Sequence, residues 1–380
     1  MALNKEWRNR VLNWQKALWS LCYRPLESVA LSGFTTFEQL TAEQALQHAF
    51  EPMPEGSAWG AKWEYGWFRG EVRLPEAARG QRIALRLSLG GNSLLWVNGK
   101  IAGAYGWAYK EVTLSRSGEP GRCYELLAEA YAGHGPMVET GGPVPFGVES
   151  VPEPPAVQTK VGECSIGVWR EGVYQLALDF TTLLELRDGL DPYCLRVSEI
   201  DQGLMDVTLV CDLELPEAEM LASVEKARAR LAPLLACTNG PSMPRLHAFG
   251  HAHIDVAWLW PLAETERKVA RTLANQFSLM AEYPEFRFLQ SQPHLFMMLK
   301  KRYPELYERV CEAVKSGQLI ADGAMWVEAD TNISGGEALI RQVLYGRRFF
   351  REAFGVDSRV LWLPDVFGYS GALPQILKGC

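Results

Sequence analysis

The sequence predicts a multidomain protein in which an antiparallel β-sandwich and a helical connector precede a unit of alternating strands and helices. Three observations predict it. A stretch rich in Gly, Pro and Trp carries apolar residues at every second position, as in Ile83, Leu85, Leu87 and Leu89. The following stretch changes to helical spacing, as in Leu176, Phe180, Leu183 and Leu184. After residue 244, short apolar runs alternate with longer helical ones four times. A period of two marks a half-buried strand, and three-four spacing marks an amphipathic helix.

Taken in order, residues 1–50 read as an N-terminal helical segment with a turn at Ser32-Gly33. Residues 51–170 read as the sandwich. There Leu94-Leu95-Trp96-Val97 runs into Asn98-Gly99, a pair that accepts the positive φ angles of a tight hairpin. Residues 171–240 read as the connector. Val197, Ile200, Leu204, Val207 and Cys211 share one helix face, and Leu221, Val224, Ala227 and Leu231 another. Asn239-Gly240-Pro241 breaks the pattern, and a strand reading for part of the stretch stays open.

In 241–380 four apolar runs, 246–254, 286–291, 319–327 and 360–363, each lead into a helical stretch, at about 262–282, 293–317, 336–354 and after Gly368. Ser334 and Glu337 have capping-box spacing before the third helix. Strand alternating with helix implies βα units on a parallel sheet, with all strand ends on one edge.

Composition narrows the function classes. The chain has 380 residues, 48% hydrophobic and 22% charged, with a net charge of −7. This mildly acidic balance gives no footprint for nucleic acid or for an anionic membrane. No apolar run reaches the roughly 18–20 residues of a membrane helix. The charged N-terminus MALNKEWRNRVLNWQ lacks the apolar core of a secretory signal. Eight scattered cysteines, with no CxxC pair, read as reduced thiols of a cytoplasmic protein.

In parallel α/β units the chemistry gathers at the carboxyl ends of the strands. Here those ends carry His251-Ala252-His253-Ile254-Asp255, then Ser291-Gln292, then Trp326-Val327-Glu328-Ala329-Asp330, then Trp362-Leu363-Pro364-Asp365. Residues two apart on an extended chain point the same way, so His251, His253 and Asp255 line one face. Two or three of them suit one divalent ion of the zinc type, since imidazole and carboxylate are its ligands. Hydrogen-bonded strand-end histidines are the alternative. Asp365 reads either as a second site carboxylate or as a turn and N-cap residue. Glu328 and Asp330 share that ambiguity. Trp258, three residues past Asp255, offers a ring face for a sugar, whereas Trp260 reads as core.

Four segments carry a resemblance: HAHIDVAWLW, SQPHLF, MWVEADTNISGGEALIRQVLYGRRFF and WLPDVFGYSGALPQIL. In that order and spacing they resemble the opening of the catalytic domain of glycoside hydrolase family 38 α-mannosidases, closely over about 245–380. WGAKWEYGWFRGEV and LLWVNGK more loosely resemble the N-terminal sandwich of the cytosolic, vacuolar and bacterial branch.

The resemblance implies a β/α barrel-like catalytic domain, truncated here, and a retaining, metal-dependent hydrolysis of terminal α-linked mannose from oligosaccharides. It implies that His253, Asp255 and Asp365 hold the ion, zinc by default with cobalt or manganese as substitutes. Asp365 is then also the nucleophile that forms a mannosyl-Asp intermediate. Trp258 and Phe367 contact the sugar, and His251 is a motif position that is not a direct ligand. His251 and Asp330 remain further site candidates. The acid/base Asp and the remaining metal-ligand His are expected beyond residue 380, so the chain by itself is expected to be inactive and poorly soluble. A homo-oligomer is also suggested. Two rival readings are an amidohydrolase-type metal-dependent hydrolase, which would need more histidines on later strands, and a non-catalytic glycan-binding or scaffold module.

Overall fold

The computed structural model describes residues 3–136, 145–147 and 153–380. The first helix, Lys5–Leu21, starts where the Asn4 side chain accepts a hydrogen bond from the Trp7 N–H at 2.9 Å. It does not continue into the rest of the expected N-terminal helical segment. Tyr23–Ser28 and Ser32–Thr36 are strands, followed by one short turn of helix at Ala42–Ala45. Pro25 has no N–H to give to a helix, and it sits at the edge of a sheet where the register shifts before Glu27. The Tyr23 and Ser165 hydroxyls meet at 3.0 Å across that pairing.

These strands belong to the sandwich, which has two antiparallel sheets. The four-stranded sheet runs in the order Tyr23–Ser28, Cys164–Trp169, Ile83–Leu87, Val112–Ser115. The six-stranded sheet runs Glu51–Pro52, Ser32–Thr36, Tyr65–Arg73, Cys123–Tyr131, Asn92–Val97, Lys100–Tyr105. Leu85, Ile166 and Val168 of one sheet and Phe68, Leu95 and Leu126 of the other form the core between them. The hairpin at Asn98-Gly99 forms with φ of 50° and 76°, the positive pair its turn requires.

Residues 171–240 contain helices Glu171–Gly189, Leu195–Val210 and Glu217–Leu235. The first helix of the chain packs with them as a fourth, through Val11 and Leu18 against Phe180, Leu204 and Leu231.

The last unit holds a three-stranded parallel sheet, Gly250–His251, Phe288–Gln290 and Leu319–Ala321, in chain order. Three strands form among the described residues, not four, and they do not close a barrel. The run at 360–363 forms no strand; it is tied beside this sheet by the Trp362 N–H to Gly323 O at 3.3 Å and by the Trp362 indole to His251, and Pro364 then lacks the next donor. The stretch at 293–317 is two helices, Pro293–Arg302 and Pro304–Lys315, because Pro304 forbids helical continuation through Tyr303. No capping box forms at Ser334. The helix Gly336–Phe354 has Gly335 as its N-cap with no side-chain bond.

Helix Leu262–Glu282 lies against the outer face of the six-stranded sheet, where Val269, Leu273 and Phe277 share a core with Trp67, Trp96 and Leu127. The edge strand Lys100–Tyr105 gives the Ala104 N–H to Asn275 Oδ1 at 2.9 Å and the Ile101 N–H to Glu305 Oε1 at 3.3 Å. Side chains of the last unit thus satisfy an edge that would otherwise invite pairing.

Candidate active site

All three strands of the parallel sheet deliver their following loops to one edge, as parallel pairing requires. The loop after Gly250–His251 carries His253, Asp255 and Trp258. Ser291 and Gln292 follow the second strand, and Glu328 and Asp330 lie in the loop after the third. Asp365 and Phe367 come from the turn beyond Pro364.

His253 is the centre. Its Nε2 faces Asp255 Oδ1 at 3.0 Å and Asp365 Oδ2 at 3.6 Å. Its Nδ1 is bonded to the carboxylate of Glu328, whose side chain is 3% exposed. The Glu328 bond, opposed by burial and aided by Asp255, pushes the His253 pKa up to about 9. Glu328 is itself fixed. Its other oxygen accepts from the Ser291 hydroxyl, and its N–H donates to Gln292 Oε1 at 3.1 Å. The Gln292 amide donates in turn to Ile254 O at 2.9 Å, tying the three loops together.

His251 is used differently. Its Nε2 accepts the Trp362 indole N–H at 3.1 Å, and its Nδ1 lies 3.1 Å from Leu289 O, to which it donates. Both ring nitrogens are therefore engaged, and this histidine locks the 360–363 run against the sheet. Asp330 serves a turn, with Oδ1 accepting the N–H groups of Asn332 and Ile333, both at 2.8 Å. That turn braces the Asp365 loop, since Thr331 Oγ1 accepts the Ser370 N–H at 3.1 Å.

Trp258 and Phe367 are 59% and 96% exposed, so each leaves a ring face open on the loop that carries Asp255 or Asp365. Trp258 meets Trp260 edge-on at 5.4 Å. Among the described residues, no group of three or more His, Cys, Asp or Glu side chains is already spaced to hold a metal ion. Two carboxylates face His253 Nε2, and a buried carboxylate holds the far side of the ring. In donor chemistry this fits a zinc-type ion, whose histidine ligands are commonly held that way. Glu328, which sequence reasoning left ambiguous along with Asp330 and Asp365, is the carboxylate bonded to His253 Nδ1. Its placement in a strand-end acidic cluster was visible, but its contact with His253, 75 positions away, was not.

Residues 243–380 match the glycosyl hydrolases family 38 N-terminal domain, and residues 25–149 match the alpha-mannosidase jelly roll domain. Residues 243–380 thus carry a domain of the glycosyl hydrolase family 38 type. Its relatives include alpha-mannosidase 2C1 of Homo sapiens, 35% identical over 92% of this chain and 33% of that protein. Another is alpha-mannosidase G of Dictyostelium discoideum, 29% identical over 93% of this chain and 32% of that protein. The Saccharomyces cerevisiae alpha-mannosidase is 44% identical over 36% of this chain and 13% of its own length. The chain thus spans about a third of the first two relatives. A β-glucuronidase from Ruminococcus gnavus aligns over 40% of this chain and 29% of its own, at 14% identity and a TM-score of 0.29, a likeness too slight to carry weight. The family 38 match lies on the unit that holds His253, and the jelly-roll match lies on the sandwich.

Proposed function

We propose that this chain contributes the nucleophile side of the active site of a retaining α-mannosidase acting on oligosaccharides with terminal α-linked mannose. The observation that carries the reading is the approach of Asp255 and Asp365 to one nitrogen of His253, with Glu328 behind it, inside a family 38 domain. Relatives named alpha-mannosidases support the substrate class.

His253, Asp255 and Asp365 are the residues that would hold one divalent ion, zinc by preference. When bound, such an ion supplies a Lewis-acid anchor for sugar hydroxyls. The chain's own residues do the rest. The Asp365 carboxylate, 55% exposed, attacks the anomeric carbon and forms a mannosyl ester as the leaving oxygen departs. Trp258 stacks on the sugar and sheds water from one face, and Phe367 flanks the nucleophile. Glu328 fixes the His253 ring so that Nε2 faces the site. A retaining reaction also needs an acid/base carboxylate about 5–5.5 Å from the nucleophile. We assign none within these residues, so turnover is proposed for the longer protein and not for residues 1–380 alone. All eight cysteines are free, which supports a reducing, cytoplasmic setting. No helix among the described residues is long and apolar enough to cross a membrane.

The stereochemistry tests the reading. NMR of the first-formed product from an aryl α-mannoside should show α-mannose, and a fluorinated mannosyl fluoride should leave one sugar on the peptide bearing Asp365. A β-configured first product, or an adduct on another peptide, would refute the assignment.

A further inference from the structure

A cleft of about 660 Å³ lies between the sandwich and the candidate active-site loop. That volume is within the range of small-ligand sites. The sandwich wall includes Asn92, Trp107, Tyr109 and Lys110, and the facing wall is Trp260 and Lys268. Three features make it more than a gap between domains.

The first is its aromatic rim. Trp107 is 90% exposed and Tyr109 47%. They sit on a tight loop closed from both sides, with the Gly106 N–H to Tyr109 O at 2.9 Å and the Tyr109 N–H to Gly106 O at 3.3 Å. A large ring held this far out on a braced loop contributes nothing to the core of the sandwich. The second is its polar content. Asn92, Lys110, Glu163 and Lys268 line it, so donors and acceptors lie beside the ring faces. That pairing of flat apolar faces with hydrogen-bonding groups matches sugars, which are apolar on their C–H faces and polar at their edges.

The third is continuity with the active site. Trp260, in the cleft wall, touches Trp258, which is exposed on the same loop as Asp255. The Lys268 ammonium lies 4.1 Å over the Trp260 ring. From the sandwich side, the Trp63 indole donates to Leu259 O at 3.3 Å, and the Trp63 N–H donates to Gly133 O at 2.9 Å. The sandwich therefore forms one bank of the active-site loop.

We infer that this cleft binds the leaving-group portion of the oligosaccharide, with Trp107 as a stacking platform, so that the jelly roll sets preference for extended glycans. The inference rests on the mannosidase reading for what enters the cleft.

The test uses the full-length enzyme with two substrates, a linear oligomannoside and an aryl α-mannoside, and compares the ratio of their kcat/KM values. Trp107→Ala is expected to lower the oligomannoside-to-aryl ratio about tenfold, with the loss in KM. Tyr193→Ala, an exposed aromatic on the helical unit, is expected to leave the ratio unchanged. An unchanged ratio in Trp107→Ala overturns the inference. So does a change in oligomeric mass without a change in ratio, which would make Trp107 an assembly contact. If the wild-type enzyme cleaves neither substrate, the mannosidase reading fails. Calorimetry then decides the cleft separately: oligomannoside binding that Trp107→Ala abolishes sustains it, and no binding overturns it.

Discussion

Glu328 grips His253 by Nδ1 and so turns Nε2 toward Asp255 and Asp365. One buried carboxylate thereby sets the orientation of the ring on which the whole candidate site depends. Glu328→Gln keeps the shape and removes the charge. Carboxylates behind metal-bound histidines are typically worth 10- to 100-fold in metal affinity. Competition of the full-length protein with a zinc chelator should show a loss of that size. Unchanged affinity would mean that Glu328 only braces the loops.

A second prediction concerns how the jelly roll is joined to the family 38 domain. Arg267 and Glu129 pair at 2.7 Å with side chains 1% and 2% exposed, and the Arg267 guanidinium lies 4.3 Å over the Tyr65 ring. Removing one member of a buried pair strands the other charge, at a cost of about 3–5 kcal/mol. Glu129→Ala should lower the urea midpoint accordingly. A shift below about 1 kcal/mol would show that water reaches the pair.

A third prediction is pH-dependent. Burial alone would raise the Glu282 carboxyl, but Arg82 and Arg116 pull it below the ordinary carboxylate range. Arg82 lies 2.8 Å and Arg116 2.9 Å from it, clamping the sandwich to helix Leu262–Glu282. Because the folded pKa is depressed, the contribution is present above the unfolded pKa of about 4.3 and is lost as pH falls through the lowered folded value. Glu282→Gln should therefore be less stable than wild type at pH 7, by about 1 kcal/mol for a partly exposed cluster. The two denaturation midpoints should converge as pH drops below about 4. A gap that persists in acid would assign the loss to packing.

Local chemistry made some of this legible and long-range pairing hid the rest. Asn98-Gly99 announces its hairpin because the positive φ angles are a property of those two residues. Tyr23–Ser28 is a strand only because it pairs with the distant strand Cys164–Trp169 in the same sheet, Tyr23 opposite Trp169, and nothing adjacent in sequence signals it. Pro304 was visible inside the 293–317 stretch, yet helical periodicity on both sides masked the break. Strand-end clustering put His253, Asp255 and Glu328 on one sheet edge because βα topology forces such residues there, whereas Asp365 reaches His253 from a run that forms no strand. The division of labour between the two histidines was not readable from their spacing. It depends on Trp362 and Glu328, which arrive from distant loops.

We propose Asp365 as the nucleophile of a metal-dependent α-mannosidase. Hydrolysis of an aryl α-mannoside by the full-length protein, before and after chelation and zinc add-back and beside Asp365→Asn, tests it most directly. The predicted result is turnover that chelation removes, zinc restores and Asp365→Asn lowers by at least a thousandfold, about 4 kcal/mol of barrier. Turnover that survives either chelation or Asp365→Asn in a well-folded protein would contradict it.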